Sequence, residues 1–308
     1  MPIDHFQAQK FGRLEFLAKQ AVEGFITGLH KSPYHGFSVE FAEHRAYNTG
    51  ESVRHVDWKL FGRTDKMFVK RYEEETNLRC NIIIDRSGSM FYPKPTEVGL
   101  SKIQFAVQSA ASLIYLMRKQ RDAAGVTLFG DGIELTTPAK SSSAHHAYLF
   151  AELEKVYDSE NGAEKSTIVD TIHLMAEKAS KRSLIIIFSD FMDTLFRGDS
   201  EQSKLFEALQ HMRYNKHEVV LFHMFHKSTE IDLKFNNRPL TFVDLETNEQ
   251  VKVNPHEIQD EYHGLREAKI ADIQLKCRQY GIEWNECNVE DGMEKVLDRF
   301  LAKRKRMG

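Results

Sequence analysis

Arg79-Cys80-Asn81-Ile82-Ile83-Ile84-Asp85-Arg86-Ser87-Gly88-Ser89-Met90 is the stretch on which the reading of this chain turns. Its first half closes in a nearly continuous apolar run, as a strand buried on both faces of a parallel sheet does. Its second half presents a carboxylate and two hydroxyls at alternate positions, Asp85, Ser87 and Ser89. In an open α/β sheet, ligands bind outside the carboxyl ends of the strands, which is where such a cluster falls.

Working outward, strand-like and helix-like runs alternate. Glu97 to Gln120 has helical spacing, Gly125 to Phe129 reads as a strand, and Gly130-Asp131-Gly132 is a hairpin turn leading to Ile133–Thr137. Helices are expected over Ala144–Tyr157, Thr167–Ala179, Lys204–Tyr214, His256–Tyr280 and Asp291–Lys303. Strands are expected over Ser183–Phe188, Glu218–Phe225 and Gly281–Asn285, with a small β insertion near residues 231–253. This order implies an α/β fold, a doubly wound, mostly parallel sheet with helices on both faces, over residues 78–308. Residues 1–77 read as an N-terminal extension packing on that domain: an amphipathic helix over Phe6–Leu29, a region of short elements, and a strand over Met67–Glu75.

Bulk properties narrow the function classes. The 308 residues carry 42 basic and 45 acidic side chains, a net charge of −3, so no whole-surface attraction to nucleic acid is expected. No window approaches the roughly 18 apolar residues of a membrane span. The charged first twenty residues lack the apolar core of a signal peptide, so a cytoplasmic protein is expected. Three cysteines, Cys80, Cys277 and Cys287, form neither a disulfide framework nor a C-x-x-C zinc site.

The candidate site gathers oxygen donors. Asp85, Ser87 and Ser89 are joined by Ser166-Thr167 ahead of the intervening helix and by Asp190 after the Ile-Ile-Ile strand. Hard oxygen ligands suit Mg²⁺, or Mn²⁺ or Ca²⁺, rather than zinc. Asp-x-Ser-x-Ser followed by a distant Thr and a distant Asp resembles the metal-ion-dependent adhesion site of von Willebrand factor A domains. That resemblance implies a metal held by Asp85, Ser87, Ser89, Thr167 and Asp190. One coordination position is then left for a partner's carboxylate. The plain alternative makes Ser87 and Ser89 helix caps. It leaves Asp85 and Asp190 facing each other unneutralised at a buried strand edge.

A second resemblance covers nearly the whole chain. Gly36–Phe41, Arg45-Ala46-Tyr47-Asn48-Thr49-Gly50-Glu51, Arg54-His55-Val56-Asp57-Trp58-Lys59 and Val69–Glu75 together are similar to the bacterial domain-of-unknown-function family fifty-eight. Glu51, Val56 and Gly62-Arg63 depart from that family's usual residues. The resemblance implies partnership with a MoxR-type AAA+ ATPase and an adaptor or co-chaperone role. Arg45, Tyr47, Arg54, Asp57 and Trp58 read either as a clasp tying the extension down or as a partner-binding surface, since Arg, Tyr and Trp favour interface hot spots.

The chain lacks a phosphate loop and a nucleophile elbow. The expectation is a non-enzymatic, metal-dependent protein-interaction module. Two alternatives stand beside it: a metal-dependent phosphate-ester hydrolase using the same site, and an A-like fold whose site is empty.

Overall fold

The computed structural model describes residues 12–29, 44–46, 58–65, 67–70, 78–94, 99–163, 166–196, 198–245 and 249–307. Along the chain, α1 (Arg13–Leu29), β1 (His44–Ala46), α2 (Trp58–Thr64) and β2 (Phe68–Lys70) precede strand β3 (Arg79–Asp85). Then follow α3 (Lys102–Lys119), β4 (Ala123–Phe129), β5 (Ile133–Thr136), α4 (Ser143–Tyr157), α5 (Ile168–Lys178) and β6 (Leu184–Ser189). The remainder holds α6 (Asp199–Tyr214), β7 (Glu218–Phe225), β8 (Leu240–Val243), β9 (Gln250–Val253), α7 (Pro255–Gln279), β10 (Glu283–Asn288) and α8 (Glu294–Met307).

Two compact units result. The smaller, Thr27–Asn77, contains α2 and an antiparallel pair in which Arg45 of β1 lies opposite Val69 of β2. The larger joins Met1–Ile26 to Leu78–Gly308. The first helix thus belongs with the larger unit: Leu14, Ala18 and Val22 are buried in its core. Glu15 pairs with Arg118 of α3 at 2.6 Å, and the Tyr115 hydroxyl donates to Glu23 at 3.1 Å. Among the described residues, no helix is long and apolar enough to cross a membrane.

A six-stranded sheet in the order β10-β7-β6-β3-β4-β5 is the frame of the larger unit. Every neighbouring pair is parallel except β4–β5, the hairpin expected from Gly130-Asp131-Gly132. The chain builds from β3 outward on one side, then crosses back to lay β6, β7 and β10 on the other. The order reverses between β3 and β6, the topological switch point at which such sheets open a crevice.

The Ile run explains why both faces are covered. Alternate residues of a strand point to opposite faces. Ile82 and Ile84 enter one core layer, with α1, α3, α4 and α8 over them. Ile83 enters the other, beneath α5, α6 and α7.

Over residues 78–308, three helix starts differ by three residues or more from the sequence expectation; one is α8, expected from Asp291 and beginning at Glu294. The helix anticipated from Glu97 begins at Lys102, because Ser101 caps it. The Ser101 hydroxyl accepts the Gln104 amide and the Gln104 side chain accepts the Ser101 amide, both at 3.3 Å. This reciprocal capping box satisfies two otherwise unpaired donors. The helix anticipated from Lys204 begins a turn earlier, at Asp199, where Asp199 and Glu201 suit the positive end of the helix.

Ser101→Ala should lower the unfolding free energy by about 1 kcal/mol, the usual loss of an N-cap. Urea unfolding followed by circular dichroism would read it. An unchanged midpoint would show that the cap contributes nothing to α3.

Candidate functional site

Strands β3 and β6 are hydrogen-bonded neighbours with Ile84 opposite Phe188, so their ends, Asp85 and Ser189-Asp190, emerge side by side. Asp85 is the last residue of its strand, 2% exposed. Its carboxylate accepts from three directions. The Ser189 hydroxyl donates at 2.6 Å and the Ser166 hydroxyl at 3.3 Å to Oδ2, while the Ser87 amide donates at 2.9 Å to Oδ1.

Past Asp85 the chain makes a short 3₁₀ turn, Gly88–Phe91. It brings the Ser87 and Ser89 hydroxyl oxygens within 3.2 Å of each other. The loop is held from below: the Gly88 amide donates to the Ala163 carbonyl and the Ala163 amide to the Arg86 carbonyl, each at 2.8 Å. Arg86 in turn pairs with Glu134 of β5. From above, the Leu245 carbonyl at the tip of the β8–β9 hairpin lies 2.9 Å from where a Cβ on Gly88 would stand. Only glycine fits there.

Asp190, 3% exposed, is held differently. Its Oδ2 accepts from the Lys102 ammonium at 2.7 Å and its Oδ1 accepts the Met192 amide at 3.3 Å. The Lys102 ammonium, 1% exposed, bridges onward to Glu230 at 2.7 Å. Glu230 sits in the turn after β7, where it also accepts the His226 amide at 2.6 Å. Phe191, next to Asp190, takes a left-handed backbone (φ 53°), which only a tightly held residue keeps. Its ring is 2% exposed and lies 5.7 Å from that of Trp284.

The two aspartates therefore have opposite electrostatic characters. Burial, then the neighbouring Asp190 charge, pushes the Asp85 carboxyl up to about 6, against hydrogen bonds from Ser189 and Ser87. Burial also pushes Asp190 upward, but the Lys102 ammonium beside it prevails and holds it below the usual carboxylate range. For Lys102 itself burial disfavours the charge, yet Asp190 and Glu230 outweigh it and the ammonium is held charged.

The structure thus brings together Asp85, Ser87, Ser89 and Asp190. Thr167 adjoins them through Ser166, but its own hydroxyl and amide both donate to the Gly130 carbonyl at 3.0 Å. Ser166 supplies the hydroxyl that reaches Asp85. Arg45 and Trp58 lie in β1 and at the start of α2 of the smaller unit, and Tyr47, Arg54 and Asp57 lie outside the described residues. His223, on β7 opposite Ser189, is 3% exposed, stacks on Trp284 with centroids 5.0 Å apart, and is pushed down to about 3 by burial and then by Arg266. Among the described residues, no three His, Cys, Asp or Glu side chains converge as ligands, so the cluster is built on hydroxyls around two carboxylates.

On the sequence alone, the plain helix-cap alternative leaves Asp85 and Asp190 unneutralised; Lys102, which sequence reading missed, as it missed Glu230, gives Asp190 a counter-charge under that reading too. A signal was present. Lys102 is the first residue of a helix, inside the Ser101-x-x-Gln104 capping box and directly after its N-cap, where a cation opposes the helix dipole. A residue set against its local preference calls for a partner elsewhere.

Two outcomes are expected. Lys102→Met leaves two carboxylates without their cation and should lower stability by about 3–5 kcal/mol, the range for breaking a buried pair. Combining it with Asp190→Asn should recover part of the loss in a double-mutant cycle. Additive losses would mean the two groups are not coupled.

The Asp85 carboxyl is raised in the fold from 3.8 to about 6, so ionising it disfavours the folded state. That penalty is fully present above pH 6 and disappears as pH falls toward 3.8. In EDTA, wild type should therefore gain stability relative to Asp85→Asn across that window, by about 3 kcal/mol. A pH-independent difference would contradict this assignment.

Comparison with known proteins places these residues in a family. A curated Mycobacterium tuberculosis relative, uncharacterized protein Rv1480, is 24% identical over 179 residues, covering 58% of this chain and 55% of the relative. A Mycobacterium bovis counterpart, uncharacterized protein Mb1516, matches over the same extent. The match thus spans about half the length of these relatives. Among solved structures, the conserved hypothetical protein BatB from Bacteroides thetaiotaomicron is 14% identical with a TM-score of 0.42, covering 75% of this chain and 100% of BatB. An aerotolerance-related membrane protein from Bacteroides fragilis is 13% identical with a TM-score of 0.43, covering 74% and 100%. The family described as "Protein of unknown function DUF58" matches residues 43–270, which include Asp85, Ser87, Ser89, Lys102, Thr167, Asp190 and Glu230, and the chain belongs to that family.

Proposed function

We propose that this chain is a von Willebrand factor A-like, metal-dependent protein-interaction module without catalytic activity of its own. In this reading it binds Mg²⁺, or Mn²⁺ or Ca²⁺, at the ends of β3 and β6 and grips a carboxylate on a protein partner. The partner class implied by the family resemblance is a MoxR-type AAA+ ATPase in the cytoplasm.

The observation that carries this reading is the pair of hydroxyl oxygens, Ser87 and Ser89, 3.2 Å apart beside the buried Asp85 carboxylate. Adjacent oxygens around an octahedral ion with bonds of about 2.0–2.1 Å stand about 3.0 Å apart along an edge. The spacing of this hydroxyl pair supports two of the contacts a hard cation would make. Asp85, Ser87 and Ser89 would hold it, with Ser166 or Thr167 and Asp190 acting directly or through water. The bound ion would supply an electrophilic position for an external carboxylate.

Charge supports the same reading. Asp85, Asp190 and Glu230 against Lys102 sum to −3 + 1 = −2. A divalent cation brings that sum to zero, so a buried cluster gains a counter-charge as well as a ligand site. The imidazole of His223 is held neutral and stacked in an aromatic cluster, which makes it a weak base for a hydrolase at this site.

Titration calorimetry with Mg²⁺ and Mn²⁺ on wild type and Asp85→Ala should show binding to wild type alone. Equal binding by both overturns the site assignment. Capture of the ATPase should be lost in EDTA and in Asp85→Ala. Capture that survives both would place the partner on another surface. Turnover of a phosphate ester with Mn²⁺, abolished by Asp190→Ala, would favour the hydrolase instead.

A further inference from the structure

Away from the strand ends, His173 of α5 and His211 of α6 approach through their Nδ1 atoms at 3.1 Å, with ring centroids 5.4 Å apart and planes tilted by 44°. We infer that this pair is the nucleus of a second metal site, selective for a borderline transition ion such as Zn²⁺ and distinct from the hard-cation cluster at Asp85.

The separation is the first argument. Two imidazole nitrogens bound to one ion at about 2.0–2.1 Å, with an angle between square and tetrahedral, stand about 2.8–3.4 Å apart. The two rings already hold that spacing, and both remain half-buried rather than sealed from solvent. A single shared proton satisfies the pair when no metal is present. An ion would replace it.

Rigid support is the second argument. Helices α5 and α6 pack side by side through Ile172, Met175, Leu209 and Met212, all buried. The Asn215 side chain ties the end of α6 to the Ala176 carbonyl of α5 at 2.8 Å. The imidazoles are therefore set on two locked backbones, so little ordering of the rings themselves is left for binding to impose.

The third argument is what lies one turn away. Glu177 follows His173 by four residues and Glu207 precedes His211 by four, and both are exposed. Residues four apart share a helix face, so each histidine has a carboxylate within a rotamer change on its own helix. Two nitrogens with one or two carboxylate oxygens is a donor set that zinc takes. No three such side chains converge among the described residues as they stand, so the carboxylates are recruited on binding.

The test is Zn²⁺ titration of the full chain by calorimetry in excess Mg²⁺, so that the strand-end cluster does not compete for the probe. The chain has 14 histidines, so the variants decide which of them bind. Wild type and Asp85→Ala should each take one Zn²⁺ per chain with the same affinity. Changing a group that merely supports a ligand weakens metal binding by about 10–100-fold, so His173→Gln and His211→Gln should each weaken this event at least about tenfold. Cu²⁺ electron paramagnetic resonance should show two coupled nitrogens in wild type and one or none in either variant. This second readout needs only folded protein at low occupancy. An isotherm unchanged by both histidine substitutions overturns the inference. So does loss of the Zn²⁺ event in Asp85→Ala with both histidines intact.

Discussion

A single buried ammonium organises the strand-end site of the larger unit. Lys102 bridges Asp190, at the end of β6, to Glu230, in the turn after β7, and it does so from the first residue of α3. Three elements far apart in sequence meet at one charge. Burying that charge is tolerable only because two carboxylates lie 2.7 Å away. The arrangement also separates the two aspartates chemically. Asp190 is committed to Lys102, which leaves Asp85 as the carboxylate whose charge is least compensated. Asp85 is thereby the carboxylate ringed by the Ser166 and Ser189 hydroxyls and the Ser87 amide.

Much of this was legible in the sequence, for a physical reason. Strands buried on both faces leave continuous apolar runs, and helices that cover them repeat at 3.6 residues, so the α/β alternation could be read directly. The position of Asp85 at a strand end followed from the abrupt change after Ile84. The helix boundaries at Ser101 and Asp199 were harder, because caps are read from side-chain hydrogen bonds rather than from hydrophobic periodicity. Lys102, Glu230 and Ser189 were not legible as site residues. Their roles depend on which strands become neighbours, and strand order is a property of the whole chain. Thr167 shows the same limit at finer scale. Of two adjacent hydroxyls, the fold turns Ser166 toward Asp85 and ties Thr167 to Gly130.

Membership of the DUF58 family gives the chain relatives without giving it an activity. The architecture supplies the more specific constraint. A mixed sheet with one reversal of order has one natural crevice, and the polar residues of this chain converge there. The second unit, Thr27–Asn77, carries Arg45 in β1 and Trp58 at the start of α2.

The hairpin β8–β9 gives the strand-end site a property that its short motif conceals. Gly88 has the Leu245 carbonyl on one side and the Ala163 carbonyl on the other, both within 3.4 Å of a missing Cβ. Asp85-x-Ser87-x-Ser89 is therefore not a portable cassette. Transplanted into another parallel sheet, the five residues would lose the two backbone walls that dictate the path of their loop. An engineer borrowing this site would have to carry across the segment around Ala163 and the tip of the hairpin as well. The unit of inheritance is the cleft and its walls, not the motif.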